Sequence, residues 1–238
     1  TTSSSKGWID NVTGPDLSTI SSHALRFSAK YQDDADFTAT LRINHSRSNP
    51  SNIGPIVNGF GAGGVSSTGI NPRVDPVTGQ PLGRRQGAYN VNGEIRAYGD
   101  SANLTLTKGF GDLTLTSISS ALKGQFLNTV DVDGTNVAAL QINFANHSKE
   151  YSQDLRLSSD FSGPFDFTAG LYYFKDIADI DTDYFIAGQS VTLAQSYRQT
   201  RTSYAAYVDA TFEFGPSSTL YGGLRYTSDH GRLKRFEV

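Results

Sequence analysis

HALRFSAKYQDDADFTATLRIN, residues His23–Asn44, puts an apolar side chain at every second position. Leu25, Phe27, Ala29 and Tyr31 alternate with Arg26, Ser28, Lys30 and Gln32. After the polar break Asp33-Asp34, Phe37, Ala39, Leu41 and Ile43 alternate with Thr38, Thr40, Arg42 and Asn44. Successive side chains of a strand point to opposite faces, so a period of two predicts strands and excludes an amphipathic helix, whose period is about 3.6. The stretch therefore reads as a hairpin with one apolar and one polar face.

The pattern returns three times further along the chain. Ala102, Leu104 and Leu106 lead through Lys108–Asp112 into Leu113 and Leu115. Leu155 and Leu157 lead through Asp160–Pro164 into Phe165, Phe167, Leu171 and Tyr173. Tyr204, Val208, Phe212 and Phe214 lead through Gly215–Ser218 into Leu220, Leu224 and Tyr226. Each arm is roughly 9–13 residues, the length of a tilted strand crossing a bilayer. Turns inside hairpins are short, whereas the segments at about 1–20, 47–97, 123–148 and 175–200 are expected to be long loops. Alternating short and long connections suit an outer-membrane barrel, with tight periplasmic turns and long external loops. On that reading the apolar set (Leu25, Phe27, Tyr31, Phe37, Leu41, Ile43 and their counterparts above) faces lipid. Arg26, Lys30, Arg42, Asp154, Arg156, Asp209, Glu213 and Arg225 fall on the other parity and imply a wet interior. Aromatics near strand ends, such as Tyr31, Phe37 and Phe214, suit interfacial girdles. Tyr89–Tyr98 alternates on the opposite parity to Ala102–Leu106, which calls for either a bulge near Gly99-Asp100 or an external extension of the strand.

Composition narrows the alternatives. Hydrophobic residues are 37% and aromatics 11% of 238 residues, with 24 Gly. Disordered chains are poor in aromatics, so disorder is not expected. A net charge of −3 carries no polybasic footprint, so no nucleic acid partner is expected. Without Cys there is no disulfide, thiolate metal site or cysteine nucleophile. No run approaches the roughly 18 apolar residues of a membrane helix, which has no bearing on strands that hide apolar residues at alternate positions.

The local motifs support no chemistry. Gly59–Gly64 is glycine-rich, but lacks the Gly-Lys-Ser/Thr ending of a phosphate loop and the strand and helix context of a dinucleotide site. His23, His45, His147 and His230 are scattered without metal-type spacing. Asp131-Val132-Asp133-Gly134 begins like a calcium loop but lacks the downstream bidentate Glu. No nucleophile elbow is present. Neither a catalytic residue, a resident metal nor a cofactor is expected.

Several stretches resemble the barrel of the TonB-dependent outer-membrane receptors. Ser152–Ser159 followed by Phe165–Phe174 (SQDLRLSS, FDFTAGLYYF) is similar to one hairpin of that family. Ser203–Tyr207 with Leu220–Thr227 (SYAAY, LYGGLRYT) is similar to the next, Leu113–Ser119 (LTLTSIS) to an earlier strand, and Gly7–Gly14 (GWIDNVTG) to a loop preceding a hairpin. The resemblance implies an all-β fold, an antiparallel transmembrane β-barrel of about 22 strands closed by a plug, of which this chain supplies a segment of about eight strands and no plug. It also implies uptake of a scarce ligand such as a siderophore, cobalamin or glycan, energised by TonB acting through an N-terminal region outside this sequence. Outer-membrane lipid and lipopolysaccharide are the other expected partners. The start inside an apparent external loop, and an end at Phe236-Glu237-Val238 without a closing aromatic, are expected features of part of a longer chain. Ligand contacts are expected in the loops Asn71–Gly87, through Arg73, Arg84 and Arg85, and Asp181–Gln189, through Tyr184 and Phe185. Within Gly170, Gly222 and Gly223 the bare backbone invites close approach by a side chain or plug. Two other readings stay open: a complete eight-stranded barrel with a structural or adhesive role, and a soluble β-sandwich binding module.

Overall fold

A computed structural model describes residues 1–52, 54–55, 69–186, 193–215 and 217–236, and among these there is no helix. In chain order the strands are β1 (Thr2–Ser5), β2 (Asp10–Asn11), β3 (Ile20–Gln32), β4 (Phe37–Ser48), β5 (Gln86–Gly87) and β6 (Ile95–Phe110). They continue as β7 (Leu113–Asp131), β8 (Leu140–Ser159), β9 (Phe165–Ile186), β10 (Leu193–Glu213) and β11 (Thr219–Phe236). Nine of them form one antiparallel sheet in the order β1-β3-β4-β6-β7-β8-β9-β10-β11. From β3 onward each strand pairs with the next long strand in sequence, as in an up-and-down barrel wall. The sheet is open, with β1 at one edge and β11 at the other. The remaining two, β2 and β5, form a small parallel pair.

Register turns the alternation of single strands into continuous faces. One row across the sheet reads Tyr31, Ala39, Leu106, Ser117, Leu155, Leu171, Ala206, Tyr226. An adjacent row on the opposite face reads Thr38, Thr107, Thr116, Arg156, Gly170, Tyr207, Arg225. The first face is here termed outer and the second inner. Among the described residues nothing covers the outer face: Leu171 is 60% exposed, Leu224 74% and Phe27 57%. Burying each such side chain is worth about 1.5–3 kcal/mol. A contiguous apolar band of this extent marks a surface built to be covered.

Two expectations change, and one open choice is decided. Residues 123–148 and 175–200 are largely strand rather than loop, because β7 runs to Asp131, β8 begins at Leu140, β9 runs to Ile186 and β10 begins at Leu193. Alternation persists there with the faces exchanged: beyond Lys123 the apolar residues Phe126, Ile142, Phe144 and Ile180 sit on the inner parity. A search for one fixed apolar parity ends where the exchange begins. Thr2–Ser5, expected in a loop, is an edge strand paired with Ile20–His23 through backbone bonds that need no apolar pattern. The choice at Tyr89–Tyr98 falls to extension over bulge for Ile95–Tyr98, since Ile95–Phe110 is one strand with unbroken register to β4 and β7, while Tyr89–Glu94 precede the strand.

Among the described residues, the tightly buried apolar cluster lies at the end with the longer connections, where Ile9, Leu17 and Tyr89 meet. Expected as a loose external loop, the segment before β3 packs onto the β4–β6 connection. Asp10 N donates to Arg85 O at 2.9 Å, and Val12 N to Gly87 O at 2.9 Å.

Candidate ligand-facing wall and mouth

Beside the apolar band, the inner face carries a connected polar network. Tyr207 lies across Gly170 of the neighbouring strand, and its hydroxyl donates to Asp154 Oδ1 two strands away at 3.1 Å. Arg156 Nη2 reaches Asp154 Oδ2 at 3.1 Å. The Arg225 guanidinium stands 5.6 Å from the ring centroids of both Tyr172 and Tyr207. A Cβ at Gly170 would collide with the Tyr207 ring, and one at Gly223 with the Asp209 carboxylate. Gly222 sits on the outer face with nothing near its Cβ direction, so close approach explains two of the three strand glycines.

Further along the same strands the inner face turns apolar and aromatic. The Phe126 and Phe144 rings meet edge-on at 6.1 Å, and Ile142, Ile180 and Tyr184 continue the patch. Arg201 stands over Phe174 at 5.2 Å, at the junction between patch and polar network. Rings and aliphatic side chains with a guanidinium beside them suit a ring-bearing or anionic small molecule.

The expected contact residues are placed unevenly. Tyr184 lies on the inner face opposite Ile142 and Leu193, whereas its neighbour Phe185 points outward opposite Gln141. Adjacent residues of one strand cannot face one ligand, and both lie in β9 rather than in a loop. Arg73 spends its guanidinium on the carbonyls of Leu82, Gly83 and Gln86, at 2.9, 2.5 and 2.9 Å, and so shapes the loop that carries Arg84 and Arg85. Those two side chains are exposed on a turn. Gly59–Gly64 and Gln189 lie outside the described residues.

Loop order comes from amides that composition alone does not reveal. Asn11 Oδ1 and Thr13 Oγ1 both accept from Tyr89 N at 3.1 Å. Asn52 Nδ2 donates to Asn128 Oδ1 at 2.9 Å and to Thr129 O at 2.7 Å, tying the β4–β6 connection to the end of β7. Asp131 and Asp133, the residues that open like a calcium loop, are committed to backbone. Asp131 Oδ1 accepts from Gly134 N at 2.9 Å, and Asp133 Oδ2 from Leu140 N at 2.8 Å. Burial pushes the Asp131 carboxyl up to about 6, an effect that the nearby Asp133 charge reinforces. Sequence reasoning missed this loop core, whose one signal was the Asn- and Thr-containing stretch Asp10–Gly14. The histidines also come closer than their spacing suggests. The His23 and His45 rings lie 5.7 Å apart across β3 and β4, and His45 Nδ1 is 2.7 Å from Asp100 Oδ1.

No family profile and no curated protein matches the chain by sequence. Solved structures do match in fold. The ferric yersiniabactin uptake receptor FyuA from Yersinia pestis superposes with a TM-score of 0.75 over 98% of this chain at 16% identity. The ferric preacinetobactin receptor BauA from Acinetobacter baumannii gives 0.66 over 97% at 11% identity. This chain spans 34% and 36% of their lengths. It therefore has the fold of about a third of such a receptor, an open run of the wall of a transmembrane β-barrel.

Proposed function

We propose that this chain is part of the wall of an outer-membrane active-transport receptor of a Gram-negative bacterium, one that takes up a small ligand with energy supplied through TonB. The observation that carries the reading is the exchange of faces along β7–β9. An exposed apolar outer band occupies the half near the short turns, and an apolar, aromatic inner patch occupies the half near the long connections. Lipid outside and a ligand-lined mouth inside require that order. FyuA and BauA, whose names describe iron-chelate receptors, share the fold and make an iron chelate the first ligand class to test. A soluble sandwich would bury the apolar band against a second sheet, whereas here it is bare. An eight-stranded barrel would pair its edges, whereas β1 and β11 stand apart.

The test expresses the full-length protein in a receptor-deficient Gram-negative host and follows uptake of labelled iron supplied as a panel of chelates. Uptake of at least one chelate, abolished on deletion of TonB, is the expected result. Recovery of the protein in the soluble periplasmic fraction would overturn the reading.

A further inference from the structure

On the outer face, directly beyond the apolar band, the register collects cations. Lys123 on β7 stands opposite Lys149 on β8, so two ammonium groups share one cross-strand position. Like charges at such a position repel, with Cβ atoms only about 5 Å apart. Neither lysine donates a hydrogen bond or joins an ion pair among the described residues. Lys175 lies one row nearer the band, opposite Tyr151. Arg198 lies one row further out and pairs with Asp179, its Nη2 at 2.9 Å from Oδ2. Together Lys123, His147, Lys149, Ile177, Asp179 and Arg198 line an open cavity of about 380 Å³.

Asp179 and Asp100 stand near this cavity against the cations Lys123, Lys149, Lys175 and Arg198, and the Lys149 charge acts on Asp179. Asp179 is held by Arg198, and Asp100, opposite Lys123, is held by His45. Asp181 accepts from Ser196, and it and Asp183 lie further from the band. The lysines thus lie at the edge of the apolar surface, with Asp100 level with Lys123 and Asp179, Asp181 and Asp183 further out.

Below the cavity, on the same outer face, runs an apolar groove of about 500 Å³ lined by Leu155, Leu171, Tyr173, Tyr204, Ala206 and Tyr226. The Tyr173 and Tyr204 rings meet at 5.3 Å near its upper end. From Tyr173 to Ile177 is four residues of strand, about 13 Å. A cationic cavity one short step above an apolar groove matches a molecule with a phosphate at one end and an acyl chain at the other.

We propose that this strip of β7–β10 is a binding site for a phosphate-bearing lipid of the outer leaflet, such as lipopolysaccharide, with a phosphate between Lys123 and Lys149 and an acyl chain in the groove. The inference rests on the outer-membrane reading and adds a defined lipid site to it. Charge-assisted hydrogen bonds from two ammonium groups would turn the repulsion between them into attraction for a shared anion.

The experiment uses full-length protein purified in detergent, with lipid retention measured by native mass spectrometry. The probes are bisphosphorylated lipid A and the same lipid stripped of phosphate. Wild type is expected to retain the phosphorylated form about tenfold more tightly. The double variant Lys123→Gln with Lys149→Gln should lose that preference while keeping its folded mobility in unheated gels. Lys108→Gln, at the opposite rim of the sheet, should keep it. Equal retention of both lipids by wild type, or an unchanged preference in the double variant, would overturn the site. Full displacement of the lipid by millimolar inorganic phosphate would also overturn it, since it would reveal an ion site without a lipid. Cell fractionation tests membrane location separately, so failure of the lipid preference and failure of the receptor reading are distinguishable.

Discussion

At Gly170 a missing side chain lets one tyrosine bridge three strands. Gly170→Ala places a methyl where the Tyr207 ring lies, so the ring must move and its bond to Asp154 is lost. A broken, partly buried bond to a charged group costs about 1.5–3 kcal/mol. We expect Gly170→Ala to lower the unfolding temperature of the full-length protein in detergent, and Gly222→Ala, which meets nothing within 4 Å, to leave it unchanged. Asp131 offers a pH-dependent counterpart in the loop core. Its carboxyl is raised from 3.8 to about 6 by burial, so the folded loops bind its proton more tightly than the unfolded chain. The sign follows from proton linkage: the stabilisation is fully present below 3.8 and is lost as pH rises through about 6. Amides of residues 132–139 should exchange more slowly at pH 5 than at pH 7.5, after correction for intrinsic rates. Asp131→Asn should flatten that difference.

The strands β7, β8 and β9 are longer than a bilayer requires, and each changes sides part-way along. Within the band, Leu171→Arg should cost about 2–4 kcal/mol of membrane stability, as a cation on the lipid face near mid-bilayer does. Its readout is the loss of folded, heat-modifiable protein from the outer-membrane fraction. Beyond the exchange, Phe144→Ala should leave assembly intact and weaken ligand uptake, because Phe144 faces inward against Phe126. If Phe144→Ala disrupts assembly as Leu171→Arg does, the inner patch serves folding rather than ligand. The exchange also explains why the alternation at Leu25–Ile43 was legible while residues 123–148 were not. In the first hairpin one parity stays apolar throughout. Along β7 and β8 the apolar parity flips after Lys123, and a fixed-parity template reads the remainder as irregular.

At the scale of the molecule, the open sheet governs behaviour. Both edges, β1 and β11, present unpaired backbone groups, which hydrocarbon cannot satisfy. This 238-residue segment expressed alone should therefore fail to insert as a monomer into vesicles. In detergent it should self-associate, as read by light scattering. A monodisperse, protease-resistant monomer would mean that the edges close on each other and would favour the small-barrel reading. Loop packing behaves otherwise, since the Ile9, Leu17 and Tyr89 cluster is internal to the segment.

Local sequence determined the strands, the tight turns and the side of each hairpin that is apolar, because strand geometry converts a period of two directly into two faces. It also supplied the resemblance that pointed to a receptor wall. Register across strands is a non-local quantity, and only the tertiary structure decided it. That register placed Lys123 opposite Lys149, passed Tyr207 over Gly170 to Asp154, and gathered four scattered histidines on one outer face. Ile9, Leu17 and Tyr89 are separated by up to 80 residues and show no periodicity, so no local pattern could announce that they form the buried core.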